Sequence, residues 1–130
     1  MIVEVAAGLI RDGSGRYLIT RRLEGKHLAG LWEFPGGKRH AGEDLRTCLA
    51  RELTEELNGV FEVGEQVDTV RWEYPDKTVV IHFFSCQLRS GTIQPLEAQA
   101  IQWAAPESLA EYPFPAADAD LIARLLPRTP

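Results

Sequence analysis

Hydrophobic residues form short strand-like runs along most of the chain. Residues 2–10 are rich in β-branched and small apolar residues and end at the turn signal DGSG, so residues 16–22 are predicted to return as the second strand of a hairpin. Pro35-Gly36-Gly37 follows the apolar run 31–34 and predicts a break in regular structure. The remaining predicted strands are 60–63, 68–74, 78–88 and 100–104.

Two segments have helical spacing instead. Leucines at every fourth position form one apolar stripe on a helix that is predicted to begin near Glu43-Asp44 and end at Asn58-Gly59. Residues 114–126 predict a second helix of about a dozen residues near the end of the chain. Because strands outnumber helices, the expected fold is α/β (α+β), a mixed β-sheet with one helix on each face.

Length and composition narrow the class of protein. The 130 residues predict a single domain, 1–130, and apolar and charged fractions of 45% and 25% exclude a disordered chain. No apolar run reaches the eighteen or so residues of a membrane helix, and the N-terminus lacks the basic start of a signal peptide. Cys48 and Cys86 are expected to be buried free thiols, and the expected compartment is the cytoplasm. A net charge of −5 argues against a nucleic acid polymer as partner, but not against a small anion.

The predicted central helix carries three acids close together. Glu52, Glu55 and Glu56 fall within an arc of roughly 100° that overlaps the edge of the leucine stripe. Three carboxylates at that boundary repel one another, and their hard oxygen atoms suit Mg²⁺ or Mn²⁺. Arg51 lies one turn before Glu55 and is placed to pair with it. The alternative is a solvated acidic face, which is the usual meaning of an isolated ELTEEL.

The surrounding spacing resembles the signature of the Nudix hydrolase superfamily. Gly37, Glu43, Arg51-Glu52-Leu53 and Glu55-Glu56 match the pattern Gly-x5-Glu-x7-Arg-Glu-U-x-Glu-Glu-x-Gly-U, in which U is aliphatic. The chain departs from the pattern at its end, where Asn58 stands at the glycine position and Gly59 at the aliphatic one. A one-residue slip would instead align Gly59-Val60 with the terminal pair, and both alignments leave the acids in place.

The resemblance implies an enzyme with an α/β/α sandwich fold and a divalent metal, Mg²⁺ or alternatively Mn²⁺. Members hydrolyse a nucleoside diphosphate linked to another group. By position, Glu52 and Glu97 are the candidates for the group that accepts the proton of water, in that order, while Glu43 and Arg51 belong to the catalytic set. The implied metal ligands are the carbonyl of Gly36 and the carboxylates of Glu52, Glu55, Glu56 and Glu97. Glu97 has a competing interpretation as a solvated loop acid.

Segments outside the signature resemble the MutT-like branch, whose members cleave nucleoside triphosphates to a monophosphate and pyrophosphate. The segments are ITRR, HLAGLWEFPGGK, EYPD and FPAAD. By that similarity Arg22 and His27 face the phosphates and sugar, while Phe34, Asp76 and Asp118 surround the base. The expected partner is a small nucleotide, with no membrane and no nucleic acid polymer, and the expected state is a monomer or weak homodimer.

Asp118 is compatible with more than one base in the substrate. A carboxylate can accept a hydrogen bond from the N7–H of oxidised guanine, as in 8-oxo-dGTP, or from the exocyclic amine of cytosine, as in CTP. Asp118 has a third interpretation as the N-terminal cap of the last helix. Two less favoured functions are a Nudix hydrolase of ADP-ribose type and a non-catalytic 8-oxoguanine recognition module. The retained acids and the negative charge argue against the recognition module.

Overall fold

The computed structural model describes residues 1–23, 29–97 and 99–126. His27, a predicted phosphate and sugar contact, lies outside these described residues. In chain order the strands and helices are β1 Ile2–Ile10, β2 Tyr17–Arg21, β3 Trp32–Glu33, β4 Gly36–Lys38, α1 Leu45–Leu57, β5 Gly59–Glu73, β6 Thr78–Gly91, β7 Ala100–Ala104, the 3₁₀ helices Pro106–Glu111 and Ala116–Asp118, and α2 Ala119–Leu125.

The strands form two sheets. The larger sheet has the order β4-β1-β6-β5, and it is mixed because β1 runs parallel to β6 and antiparallel to β4. The smaller sheet, β3-β2-β7, is antiparallel. The predicted mixed sheet with helices is therefore confirmed, with a second small sheet beside it.

The two helices pack on opposite faces of the larger sheet. Successive residues of a strand point to opposite faces. On β1, Ala6 and Ile10 pack in one hydrophobic cluster with the buried residues of α1, whereas Ala7 and Leu9 pack in another with those of α2. Each cluster excludes water from one side of β1. None of the helices in residues 1–23, 29–97 and 99–126 is long and apolar enough to cross a membrane.

The predicted hairpin between residues 2–10 and 16–22 forms only its turn. The Asp12 side chain accepts hydrogen bonds from the backbone N–H groups of Ser14 and Arg16, and a single bridge joins Arg11 to Tyr17. Strand β2 then pairs with β3 and β7 instead of β1. Because β1 already has β4 on one edge and β6 on the other, no free edge remains for β2. The predicted strand pairing was wrong.

The predicted break in regular structure falls at Phe34 and Pro35, between β3 and β4, and does not include the two glycines. Residues Gly36–Lys38 form β4, with Gly36 opposite Ala7 and Gly37 opposite Ala6. A Cβ atom at Gly36 would overlap the carbonyl oxygen of Ala6, so glycine permits this close approach of the two strands. The glycines that suggested a loop are therefore what allows the strand.

Two further elements differ in length from the prediction. The predicted strands 60–63 and 68–74 join in one long strand, β5, which ends at Glu73 and whose register shifts between Val60 and Asp68. The predicted helix over 114–126 contains a short 3₁₀ turn, and the α-helix covers Ala119–Leu125 alone. Pro115 precedes the 3₁₀ turn and cannot donate a backbone hydrogen bond. Cys48 and Cys86 are buried and free, as predicted.

Candidate active site

The central helix α1 holds its acids at the edge of the core. Asp44 caps its start by accepting hydrogen bonds from two backbone N–H groups, and Asn58 caps its end in the left-handed conformation with φ 60°. Leu49, Leu53 and Leu57 are fully buried on the face that packs against the larger sheet. The register of these leucines fixes where the neighbouring carboxylates point. The predicted start of the helix and its left-handed C-terminal cap are both confirmed.

Arg51 is the centre of an ion-pair network on α1. Its guanidinium makes two hydrogen bonds to Glu43, Nε to Oε2 at 2.8 Å and Nη2 to Oε1 at 3.0 Å. The third nitrogen, Nη1, donates to Glu52 Oε1 at 3.0 Å and to Glu55 Oε2 at 3.3 Å. The hydrogen bonds from Arg51, followed by that from the backbone of His40, lower the pKa of Glu43 to about 2. The predicted pairing of Arg51 with Glu55 is present, and Glu43 orients Arg51.

Gly37 makes room for the carboxylate of Glu52. A Cβ atom at position 37 would overlap the Glu52 carboxyl group, and the backbone of Gly37 needs no left-handed conformation. The nearest atoms all belong to the end of the Glu52 side chain, so a methyl group at position 37 would push that carboxylate aside. The glycine that opens the signature therefore keeps the Glu52 carboxylate in its place.

Glu56 is a buried carboxylate with an unsatisfied oxygen. Its relative exposure is 7%, and its Oε2 atom has no hydrogen-bond partner among the described residues. Burial, followed by the negative charges of Glu33, Glu52 and Glu97, raises the pKa of Glu56 to about 9, and a hydrogen bond from the Gly36 backbone N–H opposes this. Leaving a buried carboxylate oxygen unpaired is costly, and a cation bound beside Glu56 would remove that cost.

Glu97 is brought to the same place by the loop that precedes β7. The Gln99 side chain accepts a hydrogen bond from the backbone N–H of Glu97 at 3.0 Å and donates one to the carbonyl of Glu56 at 3.2 Å. The backbone N–H of Leu96 donates to the same carbonyl at 3.0 Å. These contacts attach the loop to the end of α1. Gln99 is 8% exposed and was missed by the sequence analysis, in which it was one polar residue of a polar loop.

These acids line one cavity of about 230 Å³, which we call the acidic cavity. Its lining comprises Thr20, Arg21, Arg22, Leu23, Glu33, Gly36, Glu52, Glu56, Glu97 and Gln99. Glu55 is not part of the described lining, because its side chain is 55% exposed and turns toward Arg51. Four of the five predicted metal ligands, Gly36, Glu52, Glu56 and Glu97, therefore share one cavity, and Glu55 is the exception among the described residues.

The composition of the acidic cavity fits a divalent cation. Mg²⁺ binds carboxylate and carbonyl oxygens and usually keeps several water molecules, so it needs few protein ligands. In the described part of the chain no three acidic, histidine or cysteine side chains stand at metal-binding spacing. Arg51 holds the Glu52 carboxylate by a hydrogen bond of 3.0 Å. The orphan oxygen of Glu56, among three other carboxylates, is the feature that a cation would satisfy.

A second cavity, of about 210 Å³, lies next to the first and is called the apolar cavity here. Apolar side chains of β1 and β6, including Val5, Ile81 and Phe83, form much of its lining. Asp118 also lines it and is only 5% exposed. Burial, followed by the charge of Glu33, raises the pKa of Asp118 to about 7. Asp118 occupies the N-cap position of α2 but its side chain makes no capping hydrogen bond, so the cap interpretation is not supported.

Two of the other predicted substrate contacts, Arg22 and Phe34, line a cavity. Arg22 lines both cavities. Phe34 lines the apolar cavity but is 5% exposed, and its ring packs against those of Tyr17, Phe83 and Phe114 in the core. Phe34 is therefore a wall of the cavity and a core residue at the same time.

Asp76 lies away from the cavity. It is exposed in the turn between β5 and β6 and is not among the described residues that line the apolar cavity, whereas Tyr74 and Lys77 of the same turn are. The backbone N–H of Tyr74 donates to the carbonyl of Lys77 at 2.8 Å, which closes the turn. Tyr74 and Lys77 were missed as lining residues because the local sequence does not show which side chains face a cavity. Glu33, which lines both cavities, was missed for the same reason.

Comparison with known proteins agrees with this geometry. The NUDIX domain family matches residues 6–124. The chain is 40% identical over 128 residues to the 8-oxo-dGTP diphosphatase of Haemophilus influenzae, covering 98% of this chain and 94% of that protein. It is 37% identical over 121 residues to the CTP pyrophosphohydrolase of Escherichia coli, covering 93% and 89%. The crystal structure of a MutT protein from Methanosarcina mazei Go1 superimposes with a TM-score of 0.86 at 28% identity, covering 95% and 92%.

Proposed function

This chain belongs to the NUDIX domain family, and from that premise we propose that it hydrolyses nucleoside triphosphates to a nucleoside monophosphate and pyrophosphate. The leading substrate is an oxidised guanine nucleotide such as 8-oxo-dGTP, so the enzyme would remove damaged precursors before they enter DNA. Relatives named 8-oxo-dGTP diphosphatase, at 40% and 31% identity over nearly the whole chain, support this choice. The cytoplasm is the compartment that we expect.

The observation that carries the proposal is the buried, unpartnered oxygen of Glu56 in a cavity with Glu52 and Glu97. Four carboxylates, counting Glu33, cannot hold a triphosphate by themselves, because like charges repel. A cation between protein and phosphate would offset that repulsion, and the shared cavity of these acids supports a cation site there.

We assign Mg²⁺ to this site, with Mn²⁺ as the alternative. Glu52, Glu56 and Glu97 would hold it, with Glu55 and the carbonyl of Gly36 as further ligands. When bound, such an ion neutralises phosphate charge and lowers the pKa of water.

The chain's own residues orient the acids and handle the proton. Arg51 holds Glu52, and Glu43 holds Arg51, so the Glu52 carboxylate is fixed by a residue outside the described lining of the cavity. Glu52 and then Glu97 are the candidates for accepting the proton of the attacking water, since both line the cavity. Arg22 also lines it and supplies a positive charge for the phosphates.

The base would enter the apolar cavity, where Asp118 is the buried polar group. With its pKa near 7, the Asp118 carboxyl is present in both protonation states at neutral pH. The ionised form accepts hydrogen bonds only, and the neutral form also donates one. Oxidised guanine presents the N7–H donor beside the O6 acceptor, which the neutral form can match. The cytosine amine is a donor alone, which the ionised form can match. The second candidate substrate is therefore CTP or a modified cytidine triphosphate, as in the Escherichia coli relative.

The experiment is a ranking of kcat/KM for pyrophosphate release from 8-oxo-dGTP, dGTP, CTP and 5-methyl-dCTP, with Mg²⁺ and again with Mn²⁺. We expect 8-oxo-dGTP to exceed dGTP by about a hundredfold, which is roughly 2.7 kcal/mol of transition-state discrimination. Cytidine nucleotides in first place would replace the leading substrate with the second. Absence of pyrophosphate release from all four would refute triphosphate hydrolysis, and ADP-ribose would then be assayed for the remaining hydrolase alternative.

Metal binding distinguishes an enzyme from a non-catalytic recognition module. A ligand that binds the native state raises its stability, so millimolar Mg²⁺ should raise the melting temperature. Glu56→Gln should abolish that rise, because a buried amide cannot lose a proton to bind the cation as a carboxylate. A melting temperature that Mg²⁺ leaves unchanged would count against the metal site and in favour of the module.

A further inference from the structure

One wall of the apolar cavity belongs to the segment that leads into α2. Pro115, Ala117 and Asp118 of this segment line the cavity. The 3₁₀ turn Ala116–Asp118 continues into α2 without a break, because the backbone of the next residue, Ala119, is already helical with φ −57° and ψ −46°. The Asp118 side chain makes no capping hydrogen bond. The position of Asp118 therefore depends on the direction in which α2 lies.

Few buried side chains hold α2 against the sheet. The helix Ala119–Leu125 has seven residues, which is about 10 Å of helix, and two of them, Leu121 and Ile122, are buried. Apolar contacts are not directional, so two of them on so short a helix leave its direction weakly determined. A directional contact near the far end of α2 would fix that direction.

An ion pair between α2 and β5 supplies this contact. Arg124 Nε donates to Asp68 Oδ2 at 2.6 Å, while Asp68 Oδ1 accepts a hydrogen bond from the backbone N–H of Thr69 at 2.8 Å. Contacts at both oxygens orient the Asp68 carboxylate, and its side chain is only 18% exposed. The register of β5 shifts just before Asp68, which then pairs with Phe83 of β6, a residue that lines the apolar cavity. The ion pair thus ties the last turn of α2 to the sheet beneath the cavity.

The start of the same segment is fixed to β3. The backbone N–H of Trp32 donates to the carbonyl of Pro113 at 2.8 Å, and the Trp32 ring meets the Tyr112 ring edge-to-face at 5.3 Å. The cavity wall at 115–118 therefore lies between two fixed points, one at residues 112–113 and the other at Arg124. An exposed ion pair adds little to the stability of a whole protein. It can still matter for activity, because a small misplacement of a substrate contact is enough to change a reaction rate.

We propose that Asp68 and Arg124 are positioning residues that hold α2 in the direction at which Asp118 meets the base of the substrate. The pair would then contribute to the choice between nucleotides, although neither residue is among the described residues that line the two cavities. This inference rests on the proposed function, because it takes the base into the apolar cavity. It does not depend on which base is preferred.

The test measures base preference, defined as the ratio of kcat/KM between the best and the poorest of the four triphosphates ranked above. The proteins are the wild type, Asp68→Asn, Arg124→Gln and the double variant. We expect a wild-type ratio of about a hundredfold to fall to roughly tenfold in each single variant. The double variant should fall no further, because the loss of either partner already breaks the pair. A merely structural role would lower the melting temperature and affect all four nucleotides equally, which leaves the ratio unchanged.

The Asp118→Ala background shows whether the pair acts through Asp118. This variant should itself reduce the ratio, and the addition of Arg124→Gln should then change it by less than about twofold. If Arg124→Gln lowers the ratio as much in Asp118→Ala as in the wild type, the pair acts by another route and the assignment is overturned.

Glu62 and Arg89 provide the matched control. They form an exposed ion pair between β5 and β6, and neither is among the described residues that line the two cavities. Glu62→Gln and Arg89→Gln should therefore keep the wild-type ratio.

Two results separate failure of this inference from failure of the proposed function. Pyrophosphate release with equal kcat/KM on all four nucleotides, or with a wild-type ratio in Asp68→Asn and Arg124→Gln, would overturn the inference while triphosphate hydrolysis stands. If the wild type releases pyrophosphate from none of the four, the rise in melting temperature given by the four corresponding monophosphates decides instead. Unequal rises that become more nearly equal in both single variants support the pair. Equal rises in the wild type, or unequal rises that both variants retain, overturn it.

Discussion

Replacement of Asp118 by asparagine should stabilise the protein in a way that depends on pH. The carboxyl group is 5% exposed, and burial raises its pKa from 3.8 to about 7. Between these two values the folded chain binds more protons at this site than the unfolded chain does. The contribution of Asp118 to the free energy of unfolding is therefore fully present below about pH 4 and is lost as the pH rises through about 7. Asparagine has nearly the same shape and does not titrate.

The size of the effect follows from the interval between the two pKa values. At about 1.4 kcal/mol per pH unit, ionised Asp118 costs the folded state up to about 4 kcal/mol at pH 8. Burial accounts for most of that cost, and the negative charge of Glu33 adds to it. We therefore expect Asp118→Asn to raise the free energy of unfolding by about 1–4 kcal/mol at pH 8 and by nearly nothing at pH 4.

The assay is urea denaturation of both proteins at half-unit steps between pH 4 and pH 8, with the difference in free energy of unfolding plotted against pH. Asp120→Asn is the matched control, since Asp120 is exposed on the first turn of the same helix. Its difference should stay within about 0.5 kcal/mol over the whole range. A difference for Asp118→Asn that is flat with pH, or that grows toward pH 4, would refute the reasoning from burial.

Three other variants test the acidic cavity. Gly37→Ala should lower kcat by about a hundredfold with little loss of stability, because its methyl group displaces the Glu52 carboxylate; steady-state kinetics and a melting curve measure both. Gln99→Leu should raise the Mg²⁺ concentration needed for half-maximal activity by about tenfold, because it frees the backbone of Glu97. Glu55→Gln should leave the melting temperature within a few degrees of wild type and abolish most turnover, because it removes a proposed metal ligand.

The glycine and glutamine variants each have a matched control in the chain. Gly13→Ala adds a methyl group with nothing within 4 Å, and Gln102→Leu changes an exposed glutamine of β7. Neither should alter kcat or the Mg²⁺ requirement. A wild-type kcat in Gly37→Ala, or an unchanged Mg²⁺ requirement in Gln99→Leu, would mean that these residues position nothing. Near-wild-type kcat in Glu55→Gln would remove Glu55 from the metal ligands and leave it as a partner of Arg51.

The sequence by itself determined the features that depend on local periodicity and spacing. The leucine stripe and the residues that cap it predicted α1, because a helix repeats every 3.6 residues and its ends need hydrogen-bond partners. The spacing from Gly37 to Glu56 predicted the acids and the arginine of the site. Most strands were predicted as well, because their apolar runs are local. The single domain and the monomer or weak homodimer remain predictions.

Tertiary structure alone decided which strands pair and which side chains meet. Strand β2 joined the second sheet because both edges of β1 were taken, and Gly36–Lys38 became a strand through its pairing with β1. Glu33 and Gln99 acquire their positions from contacts between segments far apart in the chain. Desolvation likewise depends on everything that packs around a group, so no local pattern could separate the buried carboxyl of Asp118 from the exposed one of Asp76.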